Sequence, residues 1–209
     1  MTEKEYLDTH SSPASEALRW LERQTHLRTN HARMLSGPQQ GRLLSLISRL
    51  AKPVNVLELG VFTGYSTICL AEGLAPGGTV HAVEINDELE DLIREGYDRA
   101  GISGKVQLHF GDAKEIIPTL DCRFDLVYID ANKREYPEYY SLVIDKVVPG
   151  GLILADNVLW DGKILQEPMP QDAQTRGIAA FNDMVAADPR VENFILPVRD
   201  GLSIIRKLY

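Results

Sequence analysis

The chain has 209 residues, of which 44% are hydrophobic and 25% are charged, as in an ordinary globular domain with a sizeable core. With 30 acidic and 22 basic residues, its formal net charge is −8. A negative field repels polyanions, and no run of Lys and Arg forms a basic patch, which argues against a nucleic-acid partner. No apolar run has the length of a membrane span, and we expect a cytoplasmic protein whose Cys69 and Cys122 stay reduced.

We predict one domain over residues 1–209, whose first 53 residues form a helical N-terminal part. Residues 1–12 are polar and are expected to be loose or peripheral. Ser12 followed by proline is typical of a helix start, which predicts a helix that runs to about Leu27. A second predicted helix covers residues 39–51 and is ended by a proline. Its predicted core face consists of Leu43, Leu44, Ile47 and Leu50.

From residue 54 onward, apolar runs of strand character alternate with helical patterns, which is typical of a doubly wound parallel sheet. Five strands are predicted in this part, over residues 54–59, 79–84, 105–110, 124–130 and 152–155. Two further runs, 191–197 and 202–207, flank a hairpin turn at residues 198–201. The predicted fold class is therefore α/β, a Rossmann-like doubly wound seven-stranded sheet, mostly parallel with an antiparallel last strand.

A glycine turn follows the first predicted strand, in the stretch from Glu58 to Gly64. Such a turn lets a ligand approach the backbone and presents free N–H groups to it. Glu58 stands where a dinucleotide fold needs its first glycine, and its carboxylate disfavours a phosphate but suits a cationic ligand. Glu84 ends the second strand, where an acidic side chain can accept both ribose hydroxyls. S-adenosylmethionine, a cationic cofactor with a ribose, fits both residues. The alternative is that each carboxylate has a purely structural role, and for Glu58 this role is capping of the turn.

Acidic and amide side chains follow the ends of the fourth and fifth predicted strands. Asp130, Asp156 and Asn157 offer only oxygen ligands, which favours Mg²⁺ over Zn²⁺. The alternative is that each aspartate caps the loop after its strand, without a metal. Lys133 lies three residues after Asp130. Beside a bound cation its pKa can fall, so that the neutral amine acts as a general base, whereas the alternative is an ordinary surface lysine.

These parts predict methyl transfer from a sulfonium to a catechol-type hydroxyl whose proton is taken by Lys133. A methyltransferase of the same fold that acts on RNA or protein is the first rival, and the net charge argues against RNA. A NAD-dependent oxidoreductase is disfavoured by Glu58. A non-enzymatic binding module that keeps the cofactor fold is disfavoured by the intact Lys133.

The sequence resembles the cation-dependent O-methyltransferases of the caffeoyl-CoA and catechol O-methyltransferase family, from about Met34 to Lys207. The resemblance rests on residues 58–66 (ELGVFTGYS), 128–133 (YIDANK), 149–153 (PGGLI), 156–160 (DNVLW) and 200–202 (DGL). It implies an S-adenosylmethionine-dependent enzyme that methylates an aromatic hydroxyl of a small molecule, with a homodimer as its assembly.

The resemblance also implies site residues. Asp130, Asp156 and Asn157 would ligate Mg²⁺ or another divalent ion such as Ca²⁺ or Mn²⁺, and Lys133 with Asp130 would act on the acceptor hydroxyl. The implied cofactor contacts are Ser36, Glu58, Gly60, Val61, Ser66, Glu84, Ala113 and Asp130.

The sequence departs from the family pattern at two positions. Asn132 stands where many members have an aspartate, and Asp161 stands where plant relatives carry an asparagine that touches the substrate. Trp160 is expected either to wall the acceptor ring or to pack under its loop. The histidines show no metal-ligand spacing and are expected to be structural or on the surface: His10, His26, His31, His81 and His109.

Overall fold

In a computed structural model of the chain, the backbone of residues 1–209 and the side chains of all residues except 3 and 4 are described. The strands are β1 (Asn55–Leu59), β2 (Thr79–Glu84), β3 (Val106–Phe110), β4 (Phe124–Ile129), β5 (Val147–Asp156), β6 (Val191–Leu196) and β7 (Leu202–Lys207). They form one sheet in the order β3-β2-β1-β4-β5-β7-β6. Strands β1 to β5 pair in parallel, and β7 is antiparallel to both β5 and β6. The predicted fold class is confirmed.

The helices are α1 (Glu3–His10), α2 (Glu16–Arg28), α3 (Gly37–Ala51), α4 (Tyr65–Ala71), α5 (Glu90–Ala100), α6 (Ala113–Thr119), α7 (Tyr136–Val143) and α8 (Ala173–Ala187). Side chains alternate between the two sheet faces, so that Val56 joins the core under α2 to α5 while Leu57 joins the core under α6 to α8. Within the described part of the chain, no helix has both the length and the apolar character needed to cross a bilayer.

The N-terminal residues differ from the sequence prediction in two ways. Residues 3–10 form a helix at the periphery rather than a loose segment, and the reciprocal capping box of Thr2 and Glu5 stabilises its start. The next helix starts after Ser15 and not at Ser12, because Ser15 is the N-cap and its hydroxyl accepts from the Leu18 amide at 3.3 Å. The carbonyls of Ser12 and Pro13 accept hydrogen bonds from the Arg42 guanidinium at 3.3 and 2.7 Å. These bonds tie the start of this segment to the side of α3.

Helix α3 buries most of the predicted face, since Leu43 and Ile47 are partly buried against the core. Leu44 is fully buried, as expected, but Leu50 is 84% exposed. The buried face also carries small residues such as Gly41, whose position leaves room for the Tyr65 ring of α4. The Ser48 hydroxyl donates to the carbonyl of Leu70 at 2.6 Å, which ties the two helices together. An apolar stripe, called here the α3 stripe, follows one side of the helix: Leu46 and Leu50 are exposed, and the neighbouring Leu43 and Ile47 are partly buried.

Strand β5 is longer than the prediction. Val147 pairs with Phe124, and Leu152 pairs with Leu126, so residues 148–151 bulge out between two paired positions. Gly150 has a φ of 82°, a left-handed conformation that glycine adopts without strain. The Pro-Gly-Gly motif therefore shapes a bulge inside the strand instead of preceding it. The strand then runs straight to Asp156 at the carboxyl edge of the sheet.

Candidate active site

The ends of β1 and β4 meet at the glycine turn. Gly60 has a φ of 89°, and a Cβ at this position would lie 2.4 Å from the carbonyl oxygen of Asp130. The Asp130 amide donates to the carbonyl of Leu59 at 2.8 Å. Only a glycine permits this approach, since any side chain would collide with the backbone of the neighbouring strand end. The turn predicted to hold the cofactor thus lies directly beside the first predicted metal ligand.

Glu58 is fully buried beneath the turn, and its two carboxylate oxygens accept hydrogen bonds from the hydroxyls of Ser66 and Thr67 at the start of α4. Burial raises the pKa of this carboxyl to about 8, against the lowering effect of the two hydroxyls. These contacts are those of the turn-capping alternative. A direct contact of Glu58 with a cofactor stays a prediction, as does the same role for Ser66.

Glu84 holds the backbone of the turn. One carboxylate oxygen accepts from the amides of Val61 and Phe62 at 2.9 and 2.7 Å, and the other accepts from the amide of Asn86 at 3.0 Å. A carboxylate has about four lone-pair positions, so about one remains for a ribose hydroxyl. The predicted bidentate contact to two hydroxyls therefore has less room than the sequence suggested.

The two remaining predicted cofactor residues lie at element ends. Ala113 is buried at the first position of α6, whose cap Asp112 accepts from the Lys114 amide at 2.8 Å. Ser36 is buried immediately before α3, and its carbonyl accepts a hydrogen bond from Arg199. Their contact with a cofactor stays a prediction.

The structure brings the two predicted metal-binding aspartates together. The Tyr128 hydroxyl lies 3.4 Å from an Oδ2 atom of each, Asp130 and Asp156. Asp156 is only 4% exposed, and its Oδ1 accepts from the backbone amide of Asn157 at 2.8 Å. The Asn157 side chain donates through Nδ2 to Asp200 at 3.2 Å. Since a carboxylate only accepts, this bond fixes the amide orientation and leaves Asn157 Oδ1 as its ligand atom.

The donor set fits a hard divalent cation. In the described part of the chain, no group of three or more His, Cys, Asp and Glu side chains is arranged to hold a metal. The predicted set has a different composition, with the carboxylates of Asp130 and Asp156 and the amide oxygen of Asn157. Mg²⁺ is commonly held by one or two carboxylates together with water and substrate oxygens, so this sparse oxygen set suits it.

Lys133 lies on the loop that leaves β4, and its Nζ is 2.6 Å from Asp130 Oδ1. Both side chains are largely buried, at 12% and 18% exposed. Burial acts against the lysine charge, but the ion pair outweighs it and raises the pKa of Lys133 above its usual value. Burial also raises the pKa of Asp130 to about 6, although the lysine opposes this. Without a bound cation, Lys133 is therefore an ammonium, and the predicted neutral base depends on what binds beside it.

Three residues of the site escaped the sequence analysis in this role. Gln40 of α3 donates from Nε2 to Asp156 Oδ2 at 2.7 Å and to the Tyr128 hydroxyl at 2.8 Å. Arg199 donates to Gln40 Oε1 at 3.2 Å. In the sequence, Tyr128 is part of a motif and Arg199 is part of a hairpin turn, and neither pattern assigns the residue to the site. A glutamine amid the apolar residues of a helix was the one available signal, and nothing in its spacing pairs it with a residue 116 positions later.

The loop after β5 and the departures from the family pattern have structural roles. Trp160 packs against the core under α6 to α8. The Asp161 amide donates to Asp200 at 2.6 Å, while the Asp161 side chain is exposed. Asn132 accepts from the Arg134 amide at 3.4 Å and caps the turn that follows it. The histidines lie on the surface or, for His81 and His109, in a stacked pair.

Comparison with known proteins gives a consistent result over the length of the chain. A sequence profile described as O-methyltransferase matches residues 8–208. Tricin synthase 2 from Oryza sativa subsp. japonica is 37% identical over 187 residues, which are 84% of this chain and 64% of that protein's length. Catechol O-methyltransferase from Niastella koreensis is 38% identical over 176 residues, 80% of this chain and 79% of that protein.

A solved structure shares the fold. The O-methyltransferase TomG from Streptomyces achromogenes, involved in tomaymycin synthesis and solved in complex with S-adenosylmethionine, superposes with a TM-score of 0.91 at 29% identity. The match covers 100% of both chains. The complete seven-stranded architecture, with its N-terminal helices, is therefore shared with a protein that binds S-adenosylmethionine.

Proposed function

Because the chain belongs to the O-methyltransferase family and is an S-adenosylmethionine-dependent O-methyltransferase, we propose that it methylates one hydroxyl of a catechol-type small molecule in a divalent-cation-dependent reaction. One observation carries the proposal: Asp130 and Asp156 converge on the Tyr128 hydroxyl, directly beside the glycine turn. Two acidic groups at this place suit a cation that holds two neighbouring hydroxyls next to the methyl donor.

The proposed cofactor site uses the residues around the glycine turn. Glu84 fixes the amides of Val61 and Phe62, and the tight packing of Gly60 on Asp130 sets the floor of the turn. We assign the cofactor contacts to Ser36, Glu58, Gly60, Val61, Ser66, Glu84, Ala113 and Asp130. The S-adenosylmethionine complex of TomG supports the cofactor identity.

In the proposed metal site, Asp130, Asp156 and Asn157 would hold Mg²⁺ or a similar ion. A bound divalent cation lowers the pKa of a coordinated hydroxyl and stabilises the resulting oxyanion. The chain supplies the rest of the chemistry. Asp130 orients Lys133 Nζ at 2.6 Å. A cation bound to Asp130 would offset the carboxylate charge that stabilises the ammonium and would lower the pKa of Lys133, so that the neutral amine could receive the proton of the acceptor hydroxyl. The buried surroundings of Asp156 and Tyr128 keep these groups in one arrangement.

The acceptor class is supported from two sides. Tricin synthase and catechol O-methyltransferase are similar to this chain, and their names indicate aromatic hydroxyl compounds. The net charge of −8 opposes an RNA acceptor. A small aromatic molecule with vicinal hydroxyls, either free or as an ester, is the proposed substrate.

The proposal is tested by binding and by metal removal. S-adenosylmethionine should bind in a calorimetric titration while NAD does not. Methylation of caffeic acid or a related vicinal diol, measured as S-adenosylhomocysteine release, should stop with EDTA and return with Mg²⁺. Full activity in EDTA would show that the reaction needs no divalent cation. A panel of diphenols and their CoA thioesters then identifies the acceptor.

We also propose a homodimer that buries the α3 stripe. Leu46 and Leu50 are 51% and 84% exposed, although they are among the most apolar residues of α3. An exposed row of large aliphatic side chains on one helix is typical of a surface that pairs with another protein surface. A second copy of the chain presents the same stripe, so a symmetric pairing covers both stripes at once.

A further inference from the structure

The buried amide of Gln40 joins three separate elements. The residue lies at 0% exposure near the start of α3. Its Nε2 donates to Asp156 at the end of β5 and to the Tyr128 hydroxyl on β4, and its Oε1 accepts from Arg199 in the β6–β7 hairpin. All three bonds lie between 2.7 and 3.2 Å. A buried polar side chain with this many partners has a defined position.

Chemistry fixes which way the amide points. The Asp156 carboxylate only accepts and the Arg199 guanidinium only donates, so the NH₂ group must face the aspartate and the oxygen must face the arginine. A rotated amide would lose both bonds and place its oxygen against a carboxylate. Gln40 is therefore held in one orientation by its two charged neighbours.

Arg199 is itself firmly placed. It adopts a φ of 52°, unusual for a residue other than glycine, within the tight hairpin turn. Its guanidinium also donates to the carbonyls of Ser36 and Leu35, in the segment just before α3. The hairpin thus fixes both the backbone before α3 and the first side chain of α3 that reaches the site.

We propose that Gln40 is the positioning residue for Asp156, and that Arg199 holds Gln40 in its working orientation. The inference rests on the proposed function, in which Asp156 is a metal ligand. Gln40 holds Asp156 Oδ2 and the Asn157 amide holds Asp156 Oδ1, so the carboxylate cannot rotate away from Asp130. Partners of this kind tune metal sites, and their loss lowers metal affinity by about 10- to 100-fold.

The test measures metal binding directly, without turnover. Mn²⁺ titrations followed by electron paramagnetic resonance compare wild type with Gln40→Met, which keeps side-chain length but cannot hydrogen-bond. We expect Mn²⁺ affinity to fall by about 10- to 100-fold, while S-adenosylhomocysteine binding without metal stays at the wild-type level. The matched control is Gln39→Met on the same helix, since Gln39 bonds the surface residue Asp8 at 3.3 Å and should leave Mn²⁺ affinity unchanged.

A second variant keeps the inference testable if Gln40→Met does not fold. Arg199→Met leaves Gln40 in place but removes the group that orients it, so it should weaken Mn²⁺ binding in the same direction. If folded Gln40→Met binds Mn²⁺ as tightly as wild type, the inference is wrong while the proposed function stands. If Gln40→Met does not fold, wild-type Mn²⁺ affinity in folded Arg199→Met has the same meaning. If the wild-type chain binds no Mn²⁺, the metal part of the proposed function fails and the inference fails with it.

Discussion

At the scale of single residues, the pair of Lys133 and Asp130 is the most consequential contact of the site. The two groups are 2.6 Å apart and largely buried, so each stabilises the charge of the other. Removing one partner of a buried pair leaves an uncompensated charge, which is why such pairs are costly to break. In the proposed reaction, the same lysine takes the proton of the acceptor hydroxyl.

Lys133→Ala is expected to lower turnover far more than cofactor affinity. Loss of a general base reduces rates by about 10²- to 10⁴-fold, whereas the glycine turn that binds the cofactor stays intact. Steady-state kinetics and a calorimetric titration with S-adenosylmethionine measure the two effects. Lys114→Ala is the control, because Lys114 pairs with Glu135 of the same loop at 3.0 Å. Wild-type turnover in Lys133→Ala would assign the base to another residue.

Glu58 makes the ligand-free chain sensitive to pH. Its pKa is about 8 in the folded chain against 4.5 for a solvent-exposed carboxyl, so the folded state keeps a proton that the unfolded chain releases. Glu58 therefore adds to the free energy of unfolding below about pH 4.5, and this contribution is lost as the pH rises to about 8.

Glu58→Gln should remove this dependence, because an amide does not titrate. Urea unfolding of the ligand-free proteins measures the loss of stability between pH 5 and pH 8. This loss should be smaller in the variant than in wild type, by on the order of a few kcal/mol. Glu192→Gln is the control, since Glu192 is an exposed carboxyl paired with Arg206. Identical pH slopes in wild type and Glu58→Gln would contradict the assignment.

At the scale of elements, helix α8 fixes the position of the loop that carries Lys133. A Cβ on Gly177 would lie 2.4 Å from the Lys133 carbonyl oxygen and 2.7 Å from the Arg134 Cα. Both are backbone atoms, so the loop cannot yield by a side-chain rotation. The helix therefore packs directly on the loop backbone.

Gly177→Ala is expected to lower turnover and melting temperature together. Helix propensity alone would stabilise the variant by about 1 kcal/mol, so a loss of stability reports the collision with the loop. Gly96→Ala in α5 is the matched control, because its Cβ would meet only the flexible Leu21 side chain at 3.2 Å. A Gly177→Ala protein with a raised melting temperature and normal turnover would show that the loop position is unimportant.

Elements and their order were largely predictable, because a regular alternation of apolar runs and helical patterns dictates a parallel sheet. The face that α3 buries was predictable only in part. Its core contacts use Gly41 and Ser48, which carry almost no hydrophobic signal, whereas Leu50 carries a strong one and is exposed. Likewise, the strand-end residues Asp130 and Asp156 could be predicted to meet, but the Gln40 side chain reaches them from a helix whose position depends on packing.

At the scale of the whole molecule, the proposed homodimer makes the α3 stripe a testable contact surface. Sedimentation velocity at micromolar concentration should show a dimer for the wild-type chain. The double variant Leu46→Glu and Leu50→Glu should sediment as a monomer, because charges on both copies would face each other across the contact. Leu27→Glu is the control, since Leu27 is 68% exposed on α2, outside the stripe. A dimer that survives the double variant places the contact elsewhere.

The Arg199 bridge has a consequence for how the molecule is made. It joins residues 35, 36 and 40 to residue 199, so the partners are separated by up to 164 positions along the chain. During synthesis the segment around residue 36 leaves the ribosome well before residue 199. The parallel strands can begin to pair on the nascent chain, but Gln40 gains its arginine partner only when the β6–β7 hairpin has emerged. The side-chain network around Asp156 is therefore completed later than the strands that carry Asp130 and Asp156.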